Sequence, residues 1–313
     1  MTSPSSFTLT AKDGLALAGY LWKAPAPVRG VVQLAHGMSE HALRYAPLAA
    51  KLNERGYTVY AHDHRGHGAS VRAGEALGHM ADADGWNLAV DDLHRVNRMI
   101  AAEEPGLPIV VLGHSMGSFL TQQLAFTHPD DARAIALSAS NGKPPPIALA
   151  GRAIARAERA RLGKRGTSKL LNTLSFEDFN KRFRPNRTEF DWISRDESAV
   201  DAYVLDRQCG FMVSTQTWID MLDALPQLTK KDNLARVRKE LPVYLFAGDK
   251  DPVGDMGRGV KRLADSYAAA WLTDVTLVLY PGGRHEMLFE TNRDAVVGEL
   301  CAWLDRVTTR PSG

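Results

Sequence analysis

Apolar and polar residues alternate along FTLTAKDGLALAGYLW (7–22), on either side of Lys12-Asp13-Gly14. This period of two predicts an antiparallel hairpin closed by a glycine-containing turn. The pattern then changes to short, nearly continuous apolar runs: VVQLAHG (31–37), YTVYAHD (57–63), PIVVLGH (108–114), AIALSAS (134–140), PVYLFAG (242–248) and TLVLYPG (276–282). Runs of this kind are expected of strands buried on both faces of a parallel sheet. Between them the apolar positions recur at helical spacing, as in Ala89, Leu93, Val96 and Ile100, and again in Val296, Leu300, Trp303 and Val307. Strand and helix in alternation predict an α/β fold with a mostly parallel central sheet, right-handed crossovers and helices on both faces.

One stretch breaks the rhythm. From Asn141 to Leu228 no run reads as a buried strand, and NGKPPP (141–146) opens the stretch with turn and breaker residues. The expected organisation is therefore a core of residues 1–140 and 229–313 carrying a mostly helical cap insertion, 141–228. The insertion holds a basic run, GRAIARAERARLGKRG (151–166), and scattered aromatics Phe176, Phe179, Phe183, Phe190, Trp192, Phe211 and Trp218. The basic run reads either as a solvated helix face or as a surface meeting anionic lipid head groups in transient contact.

Composition narrows the classes. With 313 residues and 44% hydrophobic content the chain can bury a substantial core. Its 38 basic and 36 acidic side chains nearly cancel, so net charge gives no reason to expect nucleic acid as a partner. No segment reads as a leader or a membrane span, and the two cysteines, Cys209 and Cys301, have neither CxxC spacing nor histidines beside them in the chain. Together these features predict a cytoplasmic protein with no zinc site and no disulfide framework.

The chemistry concentrates in a few short segments. Gly113-His114-Ser115-Met116-Gly117 is a G-x-S-x-G pattern, common by chance on its own, but here it follows a β-branched apolar run and precedes a helix-compatible segment. That is the setting of a nucleophile elbow, where small residues flank a serine held in a sharp turn. A serine hydroxyl needs a base. Among ten histidines, His285 lies just after the last apolar run, at the carboxyl edge of the sheet that Ser115 also occupies. His36, His41, His62, His64 and His67 fall on separate early loops without a metal-type repeat, so hydrogen bonding within those loops is expected of them.

The base in turn needs a carboxylate. AGDKDPVGD (247–255) offers Asp249, Asp251 and Asp255, and a calcium loop fails because Val253 and Val260 stand where ligands should be. Asp251 is the candidate acid, with Asp249 as competitor, and the chain order Ser, Asp, His is that of the α/β-hydrolase triad. An oxyanion hole would take the N–H of Met116 and, from the LAHGMSEH loop (34–41), that of Met38.

HGMSEH, HDHRGHGAS, GHSMGS, GDKDPV and GGRHEML, in that order, resemble the monoacylglycerol lipase and lysophospholipase branch of the α/β-hydrolases, the serine aminopeptidase S33-type hydrolases. The resemblance implies an α/β-hydrolase fold and an esterase or lipase with neither metal nor organic cofactor, acting on a small-molecule ester or lipid. It places the nucleophile at Ser115, the acid at Asp251, the base at His285 and the oxyanion donors at Met38 and Met116. Asp63, Gly66, Gly68 and Ser70 match the family's D-x-x-G-x-G-x-S loop, which would shape the ground beside the site. Two other readings remain at this point: cleavage of an amide, as in the related prolyl aminopeptidases, and a non-catalytic binding module on a hydrolase scaffold.

Overall fold

The hairpin of the alternating segment is present as β1 (Ser5–Thr10) and β2 (Ala16–Trp22), paired antiparallel with Thr10 opposite Ala16. The six apolar runs become β3 (Gly30–Ala35), β4 (Tyr57–His62), β5 (Ile109–His114), β6 (Ala134–Ser138), β7 (Val243–Gly248) and β8 (Val275–Tyr280). All eight join one sheet in the order β1-β2-β4-β3-β5-β6-β7-β8, parallel from β4 to β8 and antiparallel at the two pairings that β2 makes. The computed structural model of the chain describes residues 3–144 and 147–309, so Pro145 and Pro146 of the NGKPPP run lie outside the described residues.

Helices cover both faces because successive strand residues point to opposite sides. Val32, Val110 and Phe246 pack with α1 (Ala46–Glu54) and α11 (Arg293–Thr308) on one face; Val111 and Leu245 pack with α2 (Gly85–Glu103) and α3 (Met116–Thr127) on the other. The α2 stripe read from the sequence, Ala89, Leu93, Val96 and Ile100, is fully buried, and so are Val296, Leu300 and Val307 of α11. Each fully buried valine, leucine or isoleucine contributes about 1.5–3 kcal/mol.

The 141–228 stretch contributes no strand to the sheet among its described residues. It runs through α4 (Ile147–Leu162), α5 (Lys169–Asn172), a π turn (Thr173–Glu177), α6 (Asp178–Asn180), a 3-10 turn (Lys181–Phe183), α7 (Glu197–Leu205) and α8 (Thr215–Leu228). The chain then returns to the sheet through α9 (Lys231–Ala235), and α10 (Arg258–Ala269) follows β7. Of the basic run, Arg152 and Arg156 both pair with Asp223 of α8, Arg161 pairs with Glu158, and Arg165 pairs with Glu75 and Asp82. These arginines make ion pairs within the chain. No helix among the described residues is long and apolar enough to cross a membrane.

Candidate active site

The turn between β5 and α3 carries Ser115 at φ +49° and ψ −117°, a backbone conformation that costs a non-glycine residue about 1–3 kcal/mol. Its surroundings hold it there. Ser115 N–H donates to Ser138 O (3.0 Å), and Ser115 O accepts from Ser118 N–H (2.9 Å) and from Ser118 Oγ (2.6 Å). The flanking glycines are needed for space: a Cβ on Gly117 would sit 2.1 Å from Ala35 O, and one on Gly113 would sit 2.5 Å from Gly117 O.

The loop after β8 delivers His285 to the same edge of the sheet, and the loop after β7 delivers Asp251. His285 Nε2 is 3.0 Å from Ser115 Oγ, and its Nδ1 is 2.9 Å from Asp251 Oδ1. With a carboxylate on Nδ1 accepting the proton there, Nε2 presents its lone pair to the serine hydroxyl. Asp251 is fully buried, His285 nearly so, and Asp251 Oδ1 also accepts from Val253 N–H (2.9 Å). Burial pulls the His285 imidazole toward neutrality, but the charge and hydrogen bond of Asp251, with Glu286 and Glu40 behind it, raise its pKa above the ordinary histidine value.

The three aspartates of the AGDKDPVGD loop are thus unequal. Asp249 accepts from Gly282 N–H (2.7 Å) and so fixes the turn leading to His285. Asp255, at φ +52°, pairs with Arg258 and Arg262 at the start of α10.

Met38 and Met116 both line the cavity above Ser115. As the first residue of α3, Met116 has an N–H with no acceptor inside its own helix. Beside Met38, Gly37 N–H donates to Glu40 Oε1, and a Cβ at Gly37 would sit 3.3 Å from Ser115 Cβ, so the backbone passes close to the serine. Asp63 accepts from Ala42 N–H (2.9 Å) and Ala69 N–H (2.8 Å), and Ser70 Oγ accepts from Ala18 N–H (2.9 Å), which ties the early loops together. Gly66 and Gly68 both sit at positive φ there.

Hydrogen bonds engage most histidines of those loops, but both ring nitrogens of His62 are buried without a partner. His36 Nε2 accepts from His64 N–H (2.9 Å), so its Nδ1 donates to Gly37 O (2.7 Å); His67 Nδ1 lies 3.1 Å from Arg65 O. Burial and mutual repulsion drive the pKa of His36 and His64 well down, and burial with the Arg65 charge takes His62 to about 4. His114 Nδ1 lies 3.2 Å from Ser138 Oγ, and burial lowers its pKa to about 3.

A buried ion network stands behind the site that sequence reasoning did not find. Arg44 grips Glu286 with two hydrogen bonds of 2.8 Å, pairs with Glu40, and lies between the rings of Tyr203 (4.7 Å) and Phe289 (4.5 Å). Glu40 also accepts from Tyr45 OH (2.8 Å). The only local signal was the four-residue spacing of Glu40 and Arg44; Glu286 joins from the far end of the chain. The insertion reaches the site as well: the Trp192 ring lies 5.0 Å from that of His285, and Glu286 N–H donates to Ile193 O (2.7 Å). Glu290, fully buried, accepts from Arg195 N–H (3.1 Å) and Arg284 N–H (3.0 Å), fastening the same two segments.

Above Ser115 opens a cavity of about 450 Å³, within the range of small-molecule sites. Ser39, Glu40 and Glu286 line it from the loops beside Ser115 and His285; the 141–228 stretch adds the polar Asn141, Ser175 and Tyr203 and apolar side chains including Phe176, Phe179, Trp192 and Trp218.

The family model described as serine aminopeptidase, S33, matches residues 26–292. The chain belongs to that family. Within it, the chain falls in the monoacylglycerol lipase and lysophospholipase branch of the α/β-hydrolases. It is 28% identical over 309 residues to a monoacylglycerol lipase of Mycolicibacterium smegmatis, covering 96% of each chain. Its fold is similar to that of a highly thermostable carboxyl esterase from Bacillus coagulans solved with glycerol, with a TM-score of 0.89, 24% identity, and coverage of 99% of this chain and 100% of that one. It is also similar to a lipase in an open form, with a TM-score of 0.87, 26% identity, and coverage of 98% and 100%. This α/β-hydrolase carries its sheet as eight strands and the residues described above at the carboxyl ends of β3, β5, β7 and β8.

Proposed function

We propose that the protein hydrolyses carboxylic esters through an acyl-enzyme, with Ser115 as nucleophile, His285 as base and Asp251 as its orienting acid. The observation that carries this reading is the unbroken chain of hydrogen-bond contacts from Asp251 Oδ1 through His285 to Ser115 Oγ at the floor of the cavity. His285 takes the hydroxyl proton as Ser115 attacks the acyl carbonyl, and the N–H groups of Met38 and Met116 hold the oxyanion. The imidazolium then gives its proton to the departing alcohol. A water molecule, deprotonated by the same Nε2, releases the acid and restores the serine.

Residues 141–228 act as a cap that selects the substrate. Its aromatic lining takes an acyl tail, and Ser39, Glu40 and Glu286 face a hydroxylated alcohol, as in a monoacylglycerol or lysophospholipid. An aminopeptidase would need a free carboxylate for the substrate ammonium. Glu40 and Glu286 are both engaged by Arg44 instead, which favours the ester over the amide. At the cavity mouth Leu174 is 54% exposed and its neighbour Leu170 is 47% exposed, an apolar lip suited to transient contact with a lipid surface.

The test is turnover of a monoacylglycerol, a lysophospholipid, an aryl acetate and a proline arylamide by the unsubstituted chain and by Ser115→Ala. Ester cleavage that disappears with Ser115, and an inert arylamide, support the reading. Ester cleavage that survives Ser115→Ala overturns it.

A further inference from the structure

The turn after α7 carries Asp206 and Cys209 up to His41, the last residue of HGMSEH. His41 Nε2 and Asp206 Oδ2 are 2.8 Å apart, and one ring nitrogen, one carboxylate oxygen and the Cys209 sulfur all lie within 4.8 Å of one another. His41 is only 7% exposed, and its Nδ1 is buried with no hydrogen-bond partner. Coordination through Nε2 places the ring proton on Nδ1, and no acceptor on that side of the ring locks it in either tautomer.

The backbone around these side chains is already fixed. Cys209 N–H donates to Asp206 O (3.0 Å), Gly210 N–H to Ser39 O (2.9 Å), Tyr203 OH to Ser39 O (2.9 Å), and Ser39 Oγ to Phe211 O (2.7 Å). The second cluster of possible ligands, His94, His128 and Asp131, is differently built. Its two imidazoles stack at 3.7 Å and 11°, so their in-plane lone pairs run parallel and do not converge.

We propose that His41, Asp206 and Cys209 form a binding site for a divalent cation of the zinc class. One imidazole nitrogen, one carboxylate oxygen and one thiolate are a ligand set such ions favour, and three protein ligands leave a fourth position for water. On binding, the thiol releases its proton to solvent. Bonds of about 2.0–2.3 Å around a tetrahedral ion put ligand atoms roughly 3.5 Å apart, so side-chain shifts of about 1 Å close the site. An ion held there fastens the turn at 206–210 to the loop that carries Met38, three residues before His41.

The full chain, stripped of metal, is titrated with Co²⁺ and then with Zn²⁺. The expected result is one cobalt per chain with a thiolate-to-cobalt charge-transfer band, displaced by zinc. Cys209→Ser abolishes the band, and it and His41→Gln each weaken zinc binding by at least roughly tenfold, a scale on which even outer partners of metal sites matter. His128→Asn leaves both unchanged. In the unsubstituted chain zinc slows alkylation of Cys209 by a maleimide, a readout that needs no variant to fold. The proposal is overturned if the chain takes up no cobalt at micromolar concentration, if Cys209→Ser keeps the band, or if zinc gives Cys209 no protection.

Discussion

The parallel sheet and the 141–228 stretch both draw on large apolar residues, yet they use them in opposite ways. In β3, β4, β5, β6 and β7 every residue is buried against neighbours on both faces. In the insertion, Phe176, Phe179 and Phe190 stay partly exposed because one side of each faces the cavity. The close-packed region fixes Ser115, Asp251 and His285 to within a hydrogen bond of one another. The open region leaves apolar surface facing the cavity, where the proposed function places the substrate. The contrast teaches that substitutions in the first should cut turnover of every ester alike, while those in the second should re-sort substrates.

The largest effect expected is Ser115→Ala, which lowers kcat by about 10⁶ on the scale of serine hydrolases that lose the nucleophile, whatever the acyl length. Asp251→Asn costs about 10⁴ by favouring the wrong histidine tautomer. Asp249→Asn, which touches the Gly282 turn and an exposed pair with Lys250 but not His285, should cost less than roughly tenfold on the same scale. Steady-state kinetics over an ester series checks all three. An Asp249→Asn loss that equals that of Asp251→Asn removes the assignment of the acid.

Next in size is the pH profile. In the proposed mechanism His285 acts neutral, and its pKa is raised, so kcat/KM should fall as pH drops through a value above the ordinary imidazole figure of about 6.5. Arg44→Met leaves Glu40 and Glu286 without their cation, and their negative charge then favours the imidazolium more strongly. The acid limb should move to higher pH. Glu286→Gln removes one of the charges that raise His285 and should move it to lower pH. Both variants also lose a buried partner, so each is read by the position of the limb rather than by the rate alone.

Smaller effects belong to the insertion. Phe176→Ala should shift the preferred acyl chain to bulkier or longer groups, by about 1–3 kcal/mol per mismatched group in kcat/KM, and leave aryl acetate nearly unchanged. A uniform loss across the series would break the comparison. Smallest is Leu174→Gln, expected to lower turnover of substrate presented in vesicles and to spare the same substrate dispersed below its aggregation limit.

How far each region could be read from the sequence follows from the same contrast. Runs such as VVQLA and YLFAG predicted strands because burial on both faces leaves a local signature, and the elbow was legible because steric crowding dictates glycine at 113 and 117. The insertion was legible only as an absence of strands. Its helical turns are short and irregular, one of them a π turn, so no long apolar stripe marks them, and its aromatics divide between a small cluster around Trp192 and the cavity wall. The Arg44 network was hidden because Glu286 lies 242 residues away. Cys209 has no histidine beside it along the chain, and only the fold brings His41 within 4.8 Å of it across the turn at 206–210.

The central claim, that Ser115 carries the acyl group through the reaction, is tested most directly by trapping the intermediate. The chain is mixed with an activated long-chain ester, quenched in acid within the first turnover and digested for mass spectrometry. The account predicts a single acyl adduct on Ser115, accumulating in the unsubstituted chain and absent from Ser115→Ala. Rapid product release with no adduct on Ser115, or an adduct on another residue, would contradict it.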